Sequence, residues 1–284
     1  TPDGPITSVI EIMKSLNVWS PAVDTKIFNP EIKSKLELNL STKKNFLFVG
    51  HWLKGNYGKD RKNIGVLIKN FLQTFLGNEE VGLILKTSSA HQSLLDKREI
   101  LNKINAIRNT MINNPDDLPM PKIYLVHGNL HPTEMSQLYN HQSIVSYVSV
   151  HHGEGWGMPI TEAMACDVPA IMIPWSGNVD YLQEGSFIPI SFALQEIPDD
   201  CLWDDIFIKG SQWAVPQEEI LGKAFKWIVD NPQDAKIMGR KGGKLIRENF
   251  SMDNMQNNTD VILANIHNTI HHKIDKSKIP FKEI

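Results

Sequence analysis

The sequence predicts an α/β protein built on a doubly wound, Rossmann-like parallel sheet of six strands. Three observations carry that prediction. Short apolar runs such as "NFLFVG", "VGLILK" and "SIVSYVSV" alternate with longer segments whose apolar residues recur at helical spacing. The runs are mostly apolar rather than alternately polar, as suits strands covered on both faces. Glycine-containing loops follow two of them, after residues 45–50 and 143–150, which suits tight turns at strand ends.

The elements follow in order. "SVIEIMKSLN" (8–17) reads as a short helix, and the next stretch, "VWSPAVDTKIFNPEIKSK", carries two prolines and no period, so it reads as a connecting segment. The regular pattern starts at residue 43. Strand 45–50 is followed by the polar loop "HWLKGNYGKDRK" and by helix 63–75, whose Ile64, Leu67, Ile68, Phe71, Leu72 and Phe75 make a wide buried face. Strand 81–86 precedes helix 93–111, with Leu94, Leu101, Ile104 and Ile107 expected to face inward. Strand 122–128 precedes helix 132–141, with His131 or Thr133 near its cap. Strand 143–150 leads through a glycine loop to helix 159–166, where Pro159 suits the first turn. Strand 169–174, helix 177–185 closed by Gly185, and strand 186–190 complete the alternation. An irregular stretch then gives way to helices over 216–231, 232–250 and 252–273. The domain boundaries expected are 1–42 for a connecting segment, 43–250 for the sheet domain, and 251–284 for a last helix and tail.

Composition narrows the function class. With 41% apolar and 21% charged residues in 284, the chain has globular composition and enough length for a sizeable core. A net charge of −3 provides no global basic field for nucleic acid or an anionic membrane. Cys166 and Cys201 make no disulfide framework and fit a reducing, cytoplasmic compartment, with Cys166 expected in the core. No apolar run approaches the ~18 residues of a membrane span. The opening "TPDGPITS" lacks the basic-then-apolar pattern of a signal peptide and lacks an initiator Met, so a cut or incomplete chain is expected.

The stretch "HHGEGWGMPITEAMACDVPAIMIPWSGNVDYL" (151–182) is the most informative. Gly153, Gly155 and Gly157 surround Glu154, and Glu162 follows inside the next helix. A solvated turn, a dinucleotide fingerprint and a ligand site are the alternatives. In a doubly wound sheet ligands sit at the carboxyl ends of strands. Glycines let backbone N–H groups approach a ligand, and the helix that follows offers unpaired N–H groups and the positive end of its dipole, which favours an oxyanion. Glu154 would be repelled by a phosphate unless it faced elsewhere, toward sugar hydroxyls or a developing positive charge. Glu162, about one turn into the helix, is placed to accept hydrogen bonds from a ribose diol. A dinucleotide oxidoreductase fits poorly: the loop reads G-x-G-x-G, follows the fourth strand, and no acidic residue ends the next strand, "PAIMIP".

These residues resemble the signature of the retaining glycosyltransferases of GT-B fold, family 4: a Glu, seven residues and a second Glu within E-G-[FW]-G-x-P-x-x-E-A-M-A-x-x-x-P-x-I. The likeness continues in "WSGNVDYL" and in "GSQWAVP" (210–216), which is similar to a G-x-x-W-A-x-P run of one subgroup. "VGHWLKGNYGKDRKN" (49–63) resembles the donor-diphosphate loop, and "PAVDTKIFNP" (21–30) resembles the interdomain linker. The resemblance implies that 43–250 is the donor-binding half of a GT-B fold, that 1–42 is linker plus a remnant of an N-terminal domain largely absent here, and that the last helix crosses back toward that domain. It implies a metal-independent hexosyltransferase acting with retention on a nucleotide diphosphate sugar, UDP- or GDP-linked, with no other cofactor. The acceptor would be a sugar, lipid or protein. Arg61 and Lys62, with Gly50 and His51, correspond to the diphosphate-binding group. Glu154 corresponds to the catalytic carboxylate beside the transferred sugar. Gly155, Trp156, Gly157 and Met158 would contact sugar and distal phosphate through the backbone. Glu162 would hold the ribose, and His127, Gly128, Asn129 and Leu130 would lie along the base. Lys86, at a strand end, is a further candidate to face the ligand. Glu154→Gln is expected to abolish transfer with little change in nucleotide affinity.

The sequence also departs from the pattern. His51 stands where the family often has Arg, His152 where the R-G-E-G subgroup has Arg, and Ala22 at the linker's first Gly. Either histidine is expected to weaken a phosphate contact or alter the donor. Adjacent histidines (151–152, 271–272) point to opposite faces of a strand and make poor chelating pairs, so no metal is expected. Trp156 stands where the family has Phe, which favours packing over stacking on a sugar.

Overall fold

The computed structural model describes residues 19–273, excepting 54, 56, 90–91, 112–117 and 204–205, with the side chains of 268–273 left aside. The helix expected over 8–17 lies outside these residues. The six expected strands form: β1 (Lys44–Val49), β2 (Val81–Lys86), β3 (Lys122–Val126), β4 (Ile144–Ser149), β5 (Ala170–Met172) and β6 (Ile188–Pro189). All five pairings are parallel, in the order β3-β2-β1-β4-β5-β6. This is the doubly wound order, and it reverses direction between β1 and β4. A crevice therefore opens outside the carboxyl ends of those two strands, between the loops that leave them.

The helices are α1 (Ile64–Thr74), α2 (Leu94–Asn109), α3 (Pro132–Tyr139), α4 (Met158–Ala165), α5 (Glu218–Asp230), α6 (Pro232–Asn249) and α7 (Met252–Lys273). The pleat of β1 divides the core between them. Phe46 and Phe48 enter a cluster with α1, α2 and α5, whereas Leu47 and Val49 enter a second with α3, α4 and part of α6. Phe46 anchors the first cluster, with its ring 4.8 Å from Phe225 and 6.1 Å from Phe71, both edge-on. Each such pair adds about 0.5–1.5 kcal/mol beyond area burial.

The connecting segment packs on the same domain. Val23 and Phe28 are buried in the second cluster, and Leu36, Leu38 and Leu40 lie half-buried against it. Val23 donates to the Phe250 carbonyl (2.8 Å), and Met252 donates to that of Val23 (3.0 Å), which joins the segment to the start of α7.

Three expectations need correction. On α2, Leu94 and Leu101 are 84% and 40% exposed, while Ile100, Ile104 and Ile107 are buried. Those three residues fix the inward stripe, and Leu101 lies about 100° round the helix from Ile100. Residues 177–185 form no α-helix. A single 3-10 turn spans Ser176–Asp180, because Ser176 is left-handed (φ 73°) and the Asn178 side chain is drawn down to the Ile173 carbonyl (2.9 Å). The stretch read as irregular contains an antiparallel hairpin, β7 (Phe192–Glu196) with β8 (Gln212–Pro216).

Candidate functional site

Leaving β1, Gly50 donates to the Lys86 carbonyl (3.1 Å), and a Cβ there would sit 3.4 Å from Cε of Lys62. The loop returns to α1 through Asp60, which is buried and accepts from the Ile64 N–H (3.3 Å). Burial pushes the Asp60 carboxyl up to about 6, against the N–H groups of Ile64, Asn63 and Gly65. Asn63 (φ 55°) then turns the chain into α1. Arg61 and Lys62 are thus fixed just before the Asn63 cap of α1, at the mouth of the crevice.

β4 enters from the other side. Its extension is buried: His151 contacts Ser149 Oγ through Nδ1 (3.0 Å) and meets Asn178 Nδ2 at Nε2 (3.1 Å). The amide donates, so Nε2 accepts and the ring proton resides on Nδ1. Burial pushes this imidazole down to about 4, which keeps it neutral. Gly153 then offers its carbonyl to Arg61 Nη1 (3.2 Å).

Glu154 is buried at the centre. Its carboxylate accepts from Lys62 Nζ in a short contact and from Arg61 Nη1 at 3.4 Å. Burial alone would raise its pKa, but the Lys62 and Arg61 charges together hold it below the usual carboxylate range. For Lys62, burial outweighs the carboxylate and lowers the ammonium pKa. The pair is ionised on both sides and replaces solvent for both. The Glu154 carbonyl accepts from the Gly177 N–H (2.9 Å), and a Cβ at 177 would collide with the Gly155 carbonyl. Gly157 (φ 87°) caps α4, where a Cβ would sit 2.6 Å from Ile160 Cδ1. A side chain at either position would displace this backbone.

The other sequence-selected residues form separate groups. Glu162, half-buried on α4, accepts from the Tyr139 hydroxyl (3.1 Å). Burial pushes it up to about 7, against that hydrogen bond. Lys86 donates to the Gly128 carbonyl (2.7 Å), and burial lowers its pKa. His127 Nε2 lies 2.5 Å from Asp96 Oδ2, and Asp96 also accepts from the Ser89 N–H (3.0 Å). Lys86 and the loop after β3 therefore brace one another. Asn129 is exposed, and Leu130 packs half-buried on the second cluster. His51 is exposed, with Nδ1 3.3 Å from Ser88 Oγ. Gly155 and Met158 are exposed at the loop's outer edge. The Trp156 ring turns inward, 5.0 Å from Tyr181 and 5.3 Å from Phe250, and its carbonyl accepts from Tyr181 Oη (2.8 Å). Cys166 is buried.

His152, where the R-G-E-G subgroup has Arg, does not face the crevice. It is 2% exposed and its ring stacks on Trp213 at 3.9 Å and 12°. Asp60, Tyr139, Asn178 and Trp213 support the site and escaped the sequence reading, although Asp60, Asn178 and Trp213 lie in quoted motifs. Among the described residues, no three His, Cys, Asp or Glu side chains gather as a metal cluster, and no helix is long and apolar enough to cross a membrane.

Comparison with known proteins follows this geometry. Residues 116–191, from before β3 through β6, match the family model described as Glycosyl transferases group 1. No curated protein sequence matches the chain. Among solved structures, the C-terminal domain of a glycosyl transferase group 1 family protein (LpcC) from Francisella tularensis is similar with TM-score 0.55 at 14% identity, covering 81% of this chain and 99% of that one. HepE from Anabaena, solved in complex with UDP and glucose, gives TM-score 0.59 at 13% identity over 88% of this chain and 57% of that one. Sucrose-phosphate synthase from Thermosynechococcus elongatus gives 0.57 at 16% over 88% and 52%. The chain thus spans about half the length of the last two and the whole of the first. The fold is that of C-terminal GT-B domains.

Proposed function

We propose that this chain binds a nucleotide diphosphate sugar in the crevice between β1 and β4 and serves a metal-independent glycosyl transfer with retention of configuration. The observation that carries the reading is the meeting of Arg61 and Lys62 with Glu154 beside the glycine loop, at the sheet's switch point. Two fixed cations there suit the charge that develops on a departing diphosphate. The N-terminus of α4 favours the same anion, and Glu162 is one helix turn deeper, where a ribose diol would reach it. Retention and the role of Glu154 beside the transferred sugar come from the family resemblance. The match to a group 1 glycosyl transferase model and the UDP in the HepE complex support a UDP-linked donor. A cytoplasmic location goes with the two free cysteines.

A second reading is favoured by the share of the longer structures that this chain covers. In it the chain binds the donor, and transfer needs an acceptor domain supplied from outside the residues present here. Calorimetric titration with UDP-, GDP- and ADP-sugars, with donor hydrolysis followed in parallel, separates the two. Turnover supports the first, tight binding without turnover supports the second, and no binding by any of the three refutes both.

A further inference from the structure

His152 and the run "GSQWAVP", whose Ala214 joins the first core cluster, lie outside the donor contacts, and in the structure they meet. The His152 imidazole lies between two carbonyls, with Nδ1 2.6 Å from Ala214 of β8 and Nε2 2.9 Å from Gly58 of the loop after β1. Its main chain bridges the same two elements, since the His152 N–H donates to the Arg61 carbonyl (2.9 Å) and its own carbonyl accepts from the Ala214 N–H (2.9 Å). The hairpin reaches the loop a second time, independently of His152. Lys59 Nζ pairs with Asp200 Oδ2 at 2.5 Å, and Cys201 Sγ lies 3.7 Å from the Lys59 carbonyl.

We propose that His152 is a positioning residue: with Trp213 and the β7–β8 hairpin it braces the loop that carries Arg61 and Lys62, and so sets affinity for the diphosphate of the donor but not for its nucleoside. The proposal rests on the donor-binding reading above. Its physical basis is pre-organisation. The segment between β1 and α1 is a long glycine-containing loop, and ordering it on binding would cost affinity. Tying Gly58, Lys59 and Arg61 to a hairpin beforehand removes part of that cost. No direct role competes, because the buried ring has both nitrogens committed to carbonyls and one face committed to indole. A neutral ring with its proton on Nε2 donates to the Gly58 carbonyl and an imidazolium donates to both carbonyls, and in either form the side chain holds the loop. Glu162 and the loop after β3, expected to hold the nucleoside, share none of these contacts.

The test is calorimetry on the whole chain with UDP and with uridine, GDP/guanosine and ADP/adenosine being run where UDP does not bind. His152→Phe keeps the stack on Trp213 and removes both ring nitrogens. It is expected to weaken UDP about tenfold, the scale of one buried hydrogen bond, while leaving uridine affinity unchanged. Trp213→Phe, which keeps a ring under the imidazole, is expected to bind UDP nearly as the wild type does, and Trp213→Leu to resemble His152→Phe. Should His152→Phe not fold, His152→Gln keeps one donor and is expected to show the same selective loss at about threefold. Equal weakening of UDP and uridine marks a merely structural residue and overturns the proposal, as does unchanged UDP affinity. Wild-type protein that binds none of the three diphosphates refutes the donor reading itself, and the positioning role with it.

Discussion

Glu154→Gln separates a carboxylate that only meets the sugar from one that also guards the cations. Both side chains of its principal ion pair are nearly closed off, at 11% exposure for Lys62 and 10% for Glu154. One unit pair at contact distance is worth about 4 kcal/mol at an effective dielectric of ~20, and breaking a buried pair by removing one partner costs about 3–5 kcal/mol. Arg61, whose side chain is more exposed, adds little after solvent screening. Lys62 can shed its proton once unpaired, since burial already lowers its pKa, so a loss of about 2–4 kcal/mol is expected for the ligand-free protein. For a domain this size that is a fall in Tm of about 5–12 °C. A diphosphate then brings the negative charge that the variant lacks. UDP is expected to bind about ten- to a hundredfold more tightly and to recover most of the lost Tm. Sequence alone predicts little change in nucleotide affinity, because it does not show that Glu154 already holds the diphosphate's partners. Thermal unfolding with and without UDP, beside calorimetry, measures both quantities. Lower stability together with unchanged or weaker UDP binding would show that carboxylate and diphosphate do not share the cations, and the reasoning would fail.

The other predictions concern Glu162 and the glycine contact. A ribose diol favours the ionised carboxylate, and burial pushes Glu162 up to about 7, so nucleotide binding near neutral pH is expected to release part of a proton. Calorimetry in two buffers of different ionisation enthalpy detects it, and zero release between pH 6 and 8 would count against the ribose role. Because the folded-state pKa is raised, the folded protein holds that proton more tightly than the unfolded chain. Wild-type stability relative to Glu162→Gln is therefore expected to fall as pH rises from the usual carboxylate range to about 7, by no more than about 3 kcal/mol in chemical denaturation. Glu162→Ala is expected to weaken nucleotide binding by about 1–3 kcal/mol, measured by the same titration. In Gly177→Ala the new methyl meets the Gly155 carbonyl. The variant is expected to lose about 1–3 kcal/mol of stability by overpacking and to lose donor affinity, and normal values of both in melting and binding assays would contradict the close approach.

The sheet was legible because its strands β1 and β2 are buried along nearly their whole length and carry apolar runs, and all six strands appear where expected. The hairpin was not legible, because "FALQE" has no clean alternation and four of its five residues are exposed. Its partner lies beyond a long excursion, so its pairing is a tertiary fact. The false helix over 177–185 shows a local preference overridden by one contact, that of the Asn178 amide with the Ile173 carbonyl. Leu94 and Leu101 show that apolar identity alone does not assign a face. Within the site, Glu154 and Glu162 were marked by the glycine loop and their spacing, and Arg61 and Lys62 by the resemblance of residues 49–63 to a donor-diphosphate loop. The pairing of Glu154 with Lys62 and Arg61 was not, since it depends on where β1 and β4 end in space. The same holds for His152, whose partners come from two distant segments.

The join between β1 and β4 also bears on how the protein reaches its native state. Arg61 and Lys62 belong to the half of the sheet built from β1, β2 and β3, and Glu154 and Glu162 to the half that begins with β4. In the sheet these halves are paired through Asn45, Phe46 and Leu47 with Ile144, Ser146 and Tyr147, across a register shift. Parallel pairing over so long a stretch of chain is entropically costly to close and slow to form. Each half carries its own local helix–strand contacts, so helical signal during refolding can return before that seam is made. The ligand site cannot, since its charges stand on opposite sides of the seam. Recovery of the proposed nucleotide binding is thus expected to report the closing of that seam, and a chain that looks folded by helix content alone need not have brought its cations to its carboxylate.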